Sequence, residues 1–259
     1  MTAQPLDLIP IPGLYLLSII MLLVAMEFGF RLNRQMRKRS ATDNDAHVGV
    51  VTAASLALLG FLLAFVVSLG TDVFKHRWQL IIDEVNAIGT AHLRAGLLEE
   101  PQRSASRQLL KDYVDVRVLG WQPGQLQQAL ALSSAIHEQL WDHAETAAIT
   151  QPSPMTSLYI NALNDVIDIH TERVAYGLGI RIPPTIVLSL FLVAALSAFL
   201  VGMLTRNTKE RNPIAIIIMT LILSAVLLLI VDLDRPDKGF LKVPHQPMFD
   251  LKQQLDESV

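Results

Sequence analysis

Apolar and polar positions fall in blocks along this chain. Four blocks are almost wholly apolar: Leu8 to Phe30, interrupted only by Glu27; Val48 to Gly70, with no charged residue; Pro184 to Leu204; and Pro213 to Val231. Each holds about 20 apolar residues, and a helix of that length, at ~1.5 Å rise per residue, crosses a hydrocarbon core of ~30 Å. The pattern predicts four membrane-spanning helices.

The second block does not stop where its apolar run ends. From His47 to Leu98 no proline interrupts the chain, and after Gly70 the period changes: Phe74, Trp78, Ile81, Val85 and Ile88 recur at alternating steps of four and three. That spacing is one stripe on a helix. One long helix is therefore predicted over Val48–Leu98, with Gly60 and Gly70 as candidate bends, starting in lipid and ending in water. Its watery half carries an apolar seam that other elements must cover. Helices are predicted at Arg103–Leu119, Gln125–Thr150 and Met155–Gly177, separated by Gly120 with Pro123 and by the QPSP stretch at 151–154. Pro154 suits the first turn of a helix. No stretch alternates long enough to predict a strand. The fold class is an all-α membrane protein: four transmembrane helices plus a helical extramembrane domain, oligomeric. Its parts are a hairpin of spans over 1–71 with a loop at 31–47, a helical domain over 72–181, a second hairpin over 182–231 with a loop at 205–212, and a proline- and aspartate-rich tail over 232–259, read as an arm packed on the domain.

Charge adds orientation. The first loop carries Arg31, Arg34, Arg37, Lys38 and Arg39, and the second Arg206, Lys209 and Arg211. Basic short loops are retained in the cytoplasm, so both loops are expected there, with the central domain and both termini outside. The first block lacks the basic flank of a cleaved signal peptide and is too long for one. The mean hydropathy of +0.40 agrees with a lipid-embedded chain. With 21 basic against 24 acidic residues and no basic patch, nucleic acid is not expected as a partner. The absence of cysteine excludes disulfides, iron–sulfur clusters, thiol catalysis and cysteine zinc sites.

Few residues invite chemistry. Glu27 lies in a span, but Arg31 one turn on can pair with it. Asp168, His170 and Glu172 sit at alternate positions of a helix and face apart, and Asn161 to Arg173 reads as a polar face toward water or a neighbouring subunit. His137, Glu138 and His143 miss the zinc-protease spacing of two histidines one turn apart. With no glycine-rich phosphate loop and no nucleophile–base pair, and no buried polar cluster visible in the pattern, an enzyme is not expected.

Several segments together carry a family resemblance: EVNAIGTAHLRA at 84–95, PSP at 152–154, ALNDVIDIH at 162–170 and DLDRP at 232–236. They are similar to the bacterial bestrophin-like membrane proteins, a domain of unknown function, and the resemblance implies a bacterial inner membrane. The line from Leu58 through Arg77-Trp78 to Thr90 also resembles the second membrane helix of bestrophin anion channels. The resemblance implies a homo-oligomer, a pentamer, in which five copies of that helix surround a pore for anions such as chloride. It places an apolar neck at Phe61, Phe65 and Leu69, flanked by His76, Arg77 and Trp78; by residue type alone the three are equally ordinary lipid-facing or helix-packing side chains. His76 continues that stripe, and a ring of imidazoles would respond to pH near neutrality; a lone surface histidine is the plainer reading. By the same resemblance Asp232, Asp234 and Asp237 occupy the place of a calcium-binding acidic cluster, although Arg235 and Lys238 interrupt them; a proline-rich arm with paired aspartates is the plainer reading. In bestrophins the central domain is cytosolic, which conflicts with the loop charges; the loop charges act on this chain directly and take precedence here. The alternative function is a non-conducting membrane scaffold or sensor whose helical domain binds a partner or small ligand.

Overall fold

The computed structural model describes residues 9–39, 45–204, 212–235 and 239–257. Among them are eight helices and no strand: α1 Ile11–Arg39, α2 Asp45–Ala95, α3 Gln102–Leu119, α4 Leu126–Thr150, α5 Pro154–Leu178, α6 Pro184–Leu204, α7 Pro213–Asp234 and α8 Gln246–Glu257. The all-α class is as expected, and α1, α2, α6 and α7 are long and apolar enough to cross a membrane. Helix starts follow local chemistry. Asn212 caps α7 by accepting the backbone N–H groups of Ile214 and Ala215 at 3.1 and 3.2 Å, with Pro213 in the first turn. The Ser153 hydroxyl accepts the N–H of Thr156 at 3.1 Å at the start of α5. Two elements exceed expectation. The α1 helix continues nine residues past Phe30, because arginine, lysine and glutamine favour helix in water. The tail contains α8, whose Met248, Leu251 and Leu255 form a short buried stripe.

The chain divides into two compact units, Met1–Phe74 with Gly179–Lys242, and Lys75–Leu178 with Val243–Val259. The unbroken helix α2 contributes residues to each.

The first unit holds the spans. Leu22 and Met26 of α1, Leu59 and Leu63 of α2, Leu190 and Ala198 of α6, and Leu227 and Ile230 of α7 share one core. Lipid is as apolar as leucine, so close packing rather than water exclusion must hold such helices together. The tightest contact is between α1 and α6. A Cβ at Gly29 would lie 2.0 Å from the carbonyl oxygen of Phe199, and one at Gly202 would lie 2.0 Å from that of Met26. Only glycine allows the two backbones to approach this closely. The ends of the spans are tied at two levels. At one, Asn33 of α1 donates to the Met203 carbonyl of α6 at 2.6 Å, with Gly49 of α2 against Leu204. At the other, Arg235 donates to the Ile9 carbonyl at 2.8 Å, Asp234 accepts the N–H of Ile182 at 2.7 Å, and Gly70 packs on Leu233 and Ile182. The chain between these levels runs about 21–24 residues in α1, α2 and α6, or ~31–36 Å at helical rise, which matches a bilayer core.

The second unit is a water-type core. Ile88 and Ala91 of α2, Leu110 and Val114 of α3, Leu140 of α4, Leu163 and Val166 of α5, and Leu251 of α8 are buried together. Each large side chain withdrawn from water contributes roughly 1.5–3 kcal/mol before the cost of ordering. The seam predicted on α2 is thus covered, but its register differs. Trp78 is 42% exposed, while the neighbouring Arg77 is buried. Arg77 turns inward because its Nε donates to the carbonyl of Tyr176 at 2.9 Å. The buried line runs through Arg77, Leu80, Ile81, Glu84, Ile88, Ala91 and Ala95.

Candidate functional site

In the first unit, one face of α2 is packed and the other is bare. Leu59, Leu63 and Val66 are buried, whereas Phe61 is 67% and Phe65 54% exposed. Leu69, one further turn on, is half-buried. Ala57, Ala64 and Ser68 are exposed beside the two rings. The face therefore presents two large apolar rings one turn apart, with Leu58 exposed before them and small residues alongside.

The residues read as flanking this stripe lie in the second unit and face different ways. His76 Nε2 is 3.0 Å from Glu172 Oε1, and its ring stands 4.1 Å from that of Tyr176. Arg77 is inward and Trp78 outward, as described. The arginine–tryptophan pair thus splits its roles: the cation holds α2 to α5 and the indole is left on the surface.

The centre of the second unit is a buried polar cluster, which reverses the expectation that none exists. Glu84 of α2 is 0% exposed. Tyr113 of α3 donates its hydroxyl to Glu84 Oε1 at 2.7 Å. Arg173 Nη1 of α5 donates to Glu84 Oε2. Arg117 Nε lies 3.0 Å from Glu84 Oε1, near enough for an ion pair but off the line of a hydrogen bond. His170 Nδ1 is 3.0 Å from the Tyr113 oxygen. Because the single tyrosine proton goes to Glu84, the tyrosine oxygen must accept from His170, which puts the imidazole proton on Nδ1. The His137 ring of α4 lies tilted 4.8 Å from that of Tyr113 and edge-on 4.9 Å from that of His170. Burial pushes the Tyr113 hydroxyl up from its usual range. Burial, then the Arg117 charge, pulls His170 down to about 3 and His137 to about 4, so both rings are neutral in the folded protein. A carboxylate, a hydroxyl and an imidazole in series can relay a proton, but here Glu84 and Tyr113 are fully buried and His170 nearly so. Its evident work is to clasp α2, α3, α4 and α5 around one charge.

The polar face expected on α5 is exposed at Asn161, Asp165, Asp168 and Glu172, while His170 and Arg173 beside it turn inward. His170 points into the cluster, Glu172 to His76, and Asp168 accepts from Asn164 at 2.8 Å. Sequence reasoning passed over Glu84, Tyr113 and Arg117. The available signal was a glutamate on the apolar seam of α2, with an arginine four residues after a tyrosine on α3.

The tail aspartates make protein contacts. Asp234 Oδ2 accepts from Arg181 Nε and Nη2 at 2.9 and 2.7 Å, while Oδ1 accepts from Ile182. The Asp232 carboxylate accepts the N–H groups of Phe240 and Leu241 at 2.7 and 2.9 Å. Asp237 lies outside the described residues, as do Arg206, Lys209 and Arg211 of the second loop. Calcium takes six to eight oxygens at close range. With a guanidinium on one carboxylate and two amides on the other, these groups as arranged do not fit a calcium ion. Among the described residues no group of three or more acidic, histidine or cysteine side chains is placed to hold a metal. Glu27 accepts from Arg31 Nε at 2.8 Å, the pairing its spacing allows.

Four apolar spans and a helical unit built on the extension of one of them define a multi-pass, all-helical membrane protein. Residues 16–248 match the family model of the Bestrophin-like domain, and the chain belongs to that family. The structure is similar to the crystal structure of a point-mutated bacterial bestrophin homologue from Klebsiella pneumoniae, with a TM-score of 0.66 over 95% of this chain and 98% of that one, at 13% identity. That likeness is one of fold. Comparison with curated proteins gives no match.

Proposed function

We propose that this protein is a passive anion channel of the chloride type, formed by five copies with α2 around the axis and Phe61, Phe65 and Leu69 as its neck. The observation that carries the reading is the exposure of Phe61 and Phe65, one turn apart, on a face of α2 whose opposite side is packed. Apolar rings of this kind gate by dewetting and favour ions that shed water easily. Membership of the Bestrophin-like family supports the assembly and the pore helix. The loop charges support cytoplasmic loops and an outer domain, and the family resemblance supports a bacterial inner membrane.

The test is chloride efflux from liposomes containing the purified protein, for the wild type and for a Phe61→Ala/Phe65→Ala variant. The wild type is expected to conduct, and the variant to conduct more through a wider, wetter neck. No efflux from either would overturn the channel.

A scaffold or sensor remains the second reading. It is favoured by a groove of about 410 Å³ between α2 and α5, lined by Asp83, Asn86, Thr90, Arg94, Asp165 and Asp168. It predicts a closed central axis and a partner cross-linked at this groove.

A further inference from the structure

The turn after α7 holds two apolar side chains outward in a fixed position. Phe240 is 72% exposed and Leu241 is also exposed. Their backbone N–H groups are both bonded to the carboxylate of Asp232, which is buried at the end of the span. The turn is therefore folded back to within one side-chain length of the level at which the spans end. That level is set independently by Arg235 on the Ile9 carbonyl, Asp234 on the Ile182 N–H, and Gly70 against Leu233. It joins α1, α2, α6 and α7. Lys242, exposed and next in sequence, adds a cation beside the two apolar side chains.

An exposed phenylalanine beside a leucine, pinned at the end of four spans and followed by a lysine, has the chemistry of an interfacial anchor. We propose that the Phe240–Leu241 turn inserts into the boundary between headgroups and acyl chains of the leaflet at this end of the spans, with Lys242 among the phosphates. Asp232 is the positioning residue: its two oxygens fix the turn so that the apolar side chains point away from the protein. The proposal rests on the spans lying in a bilayer and is independent of whether the protein conducts.

The chain has no cysteine, so single-site spin labelling is direct. Phe240→Cys, Lys242→Cys and, as a mid-span control, Ile222→Cys would each be labelled in the full chain and reconstituted in phosphatidylcholine–phosphatidylglycerol vesicles. Power-saturation measurements would compare accessibility to oxygen, which partitions into lipid, with accessibility to a neutral nickel chelate, which stays in water. At position 240 oxygen access is expected to exceed nickel access, at a depth shallower than position 222, with the order reversed at 242. Nickel access above oxygen access at 240, while 222 reports lipid, would overturn the anchor and leave the membrane reading intact. Spin–spin broadening at 240 would overturn it too, by showing that a second copy covers the turn. In an Asp232→Asn background the label at 240 is expected to move toward water with 222 unchanged. An unchanged depth would remove Asp232 from the positioning role.

Discussion

The guanidinium of Arg181 grips one carboxylate oxygen of Asp234 with two nitrogens, at 2.9 and 2.7 Å. The pair fastens the approach to α6 onto the end of α7, and Asp234 also accepts the Ile182 N–H.

Both partners are nearly buried, and removing one takes a two-nitrogen, charge-assisted contact from the other. Asp234→Ala is expected to cost about 3–5 kcal/mol, read as a lower melting temperature of the detergent-solubilised protein. Calcium is expected to leave the wild-type melting temperature unchanged, because the ion would have to displace Arg181. A calcium-dependent rise lost in Asp234→Asn would reinstate the acidic cluster as a metal site.

Glu84 is the hub of the second unit, so its loss and the loss of one partner should differ in size. Glu84→Gln leaves two guanidiniums facing a neutral amide and is expected to cost about 3–5 kcal/mol. Tyr113→Phe removes one donor and is expected to cost about 1–3 kcal/mol. Thermal unfolding followed by circular dichroism orders the two variants, and equal losses would contradict the hub.

Acid should loosen this unit. His137 and His170 bind a proton only near pH 4 and 3 in the folded protein, against 6.5 for the unprotected side chain. Between those values the unfolded chain holds the extra proton. Stability is therefore full above 6.5 and falls as pH drops through the window, by at most about 1.4 kcal/mol per pH unit for each histidine. Melting temperatures measured from neutral pH to about pH 4.5 should decline, and His170→Gln should flatten the decline.

The contact between α1 and α6 leaves no room for a side chain. Gly202→Val would set carbon against the Met26 carbonyl and force the helices apart. The expected outcome is loss of the monodisperse, folded protein on size-exclusion chromatography, whereas Gly60→Ala on α2, where nothing lies within 4 Å, should purify as the wild type does.

The spans, the long second helix and the breaks at Gly120 and the 151–154 turn were legible because each is written locally, in run length, period or proline. The register of the seam was not. Phe74, Trp78 and Ile81 make a regular stripe, yet Trp78 faces out, since the Tyr176 carbonyl draws Arg77 inward from a position 99 residues away. The tail helix was obscured by the prolines and aspartates around it, although Met248, Leu251 and Leu255 carried its period. Glu84 was the larger omission. A lone glutamate on an apolar face looks like an imperfection until Tyr113, Arg117, His170 and Arg173 arrive from two other helices.

The sequence by itself determined how many times this chain crosses a bilayer and that a helix continues from one span into water, because hydrophobic length and helical period depend only on neighbours along the chain. The tertiary structure alone decided which charges are inside. Ion pairs such as Glu84 with Arg173 and Asp234 with Arg181 join residues 89 and 53 positions apart, and a charge is stable in a core only when its distant partner is delivered to it by the fold.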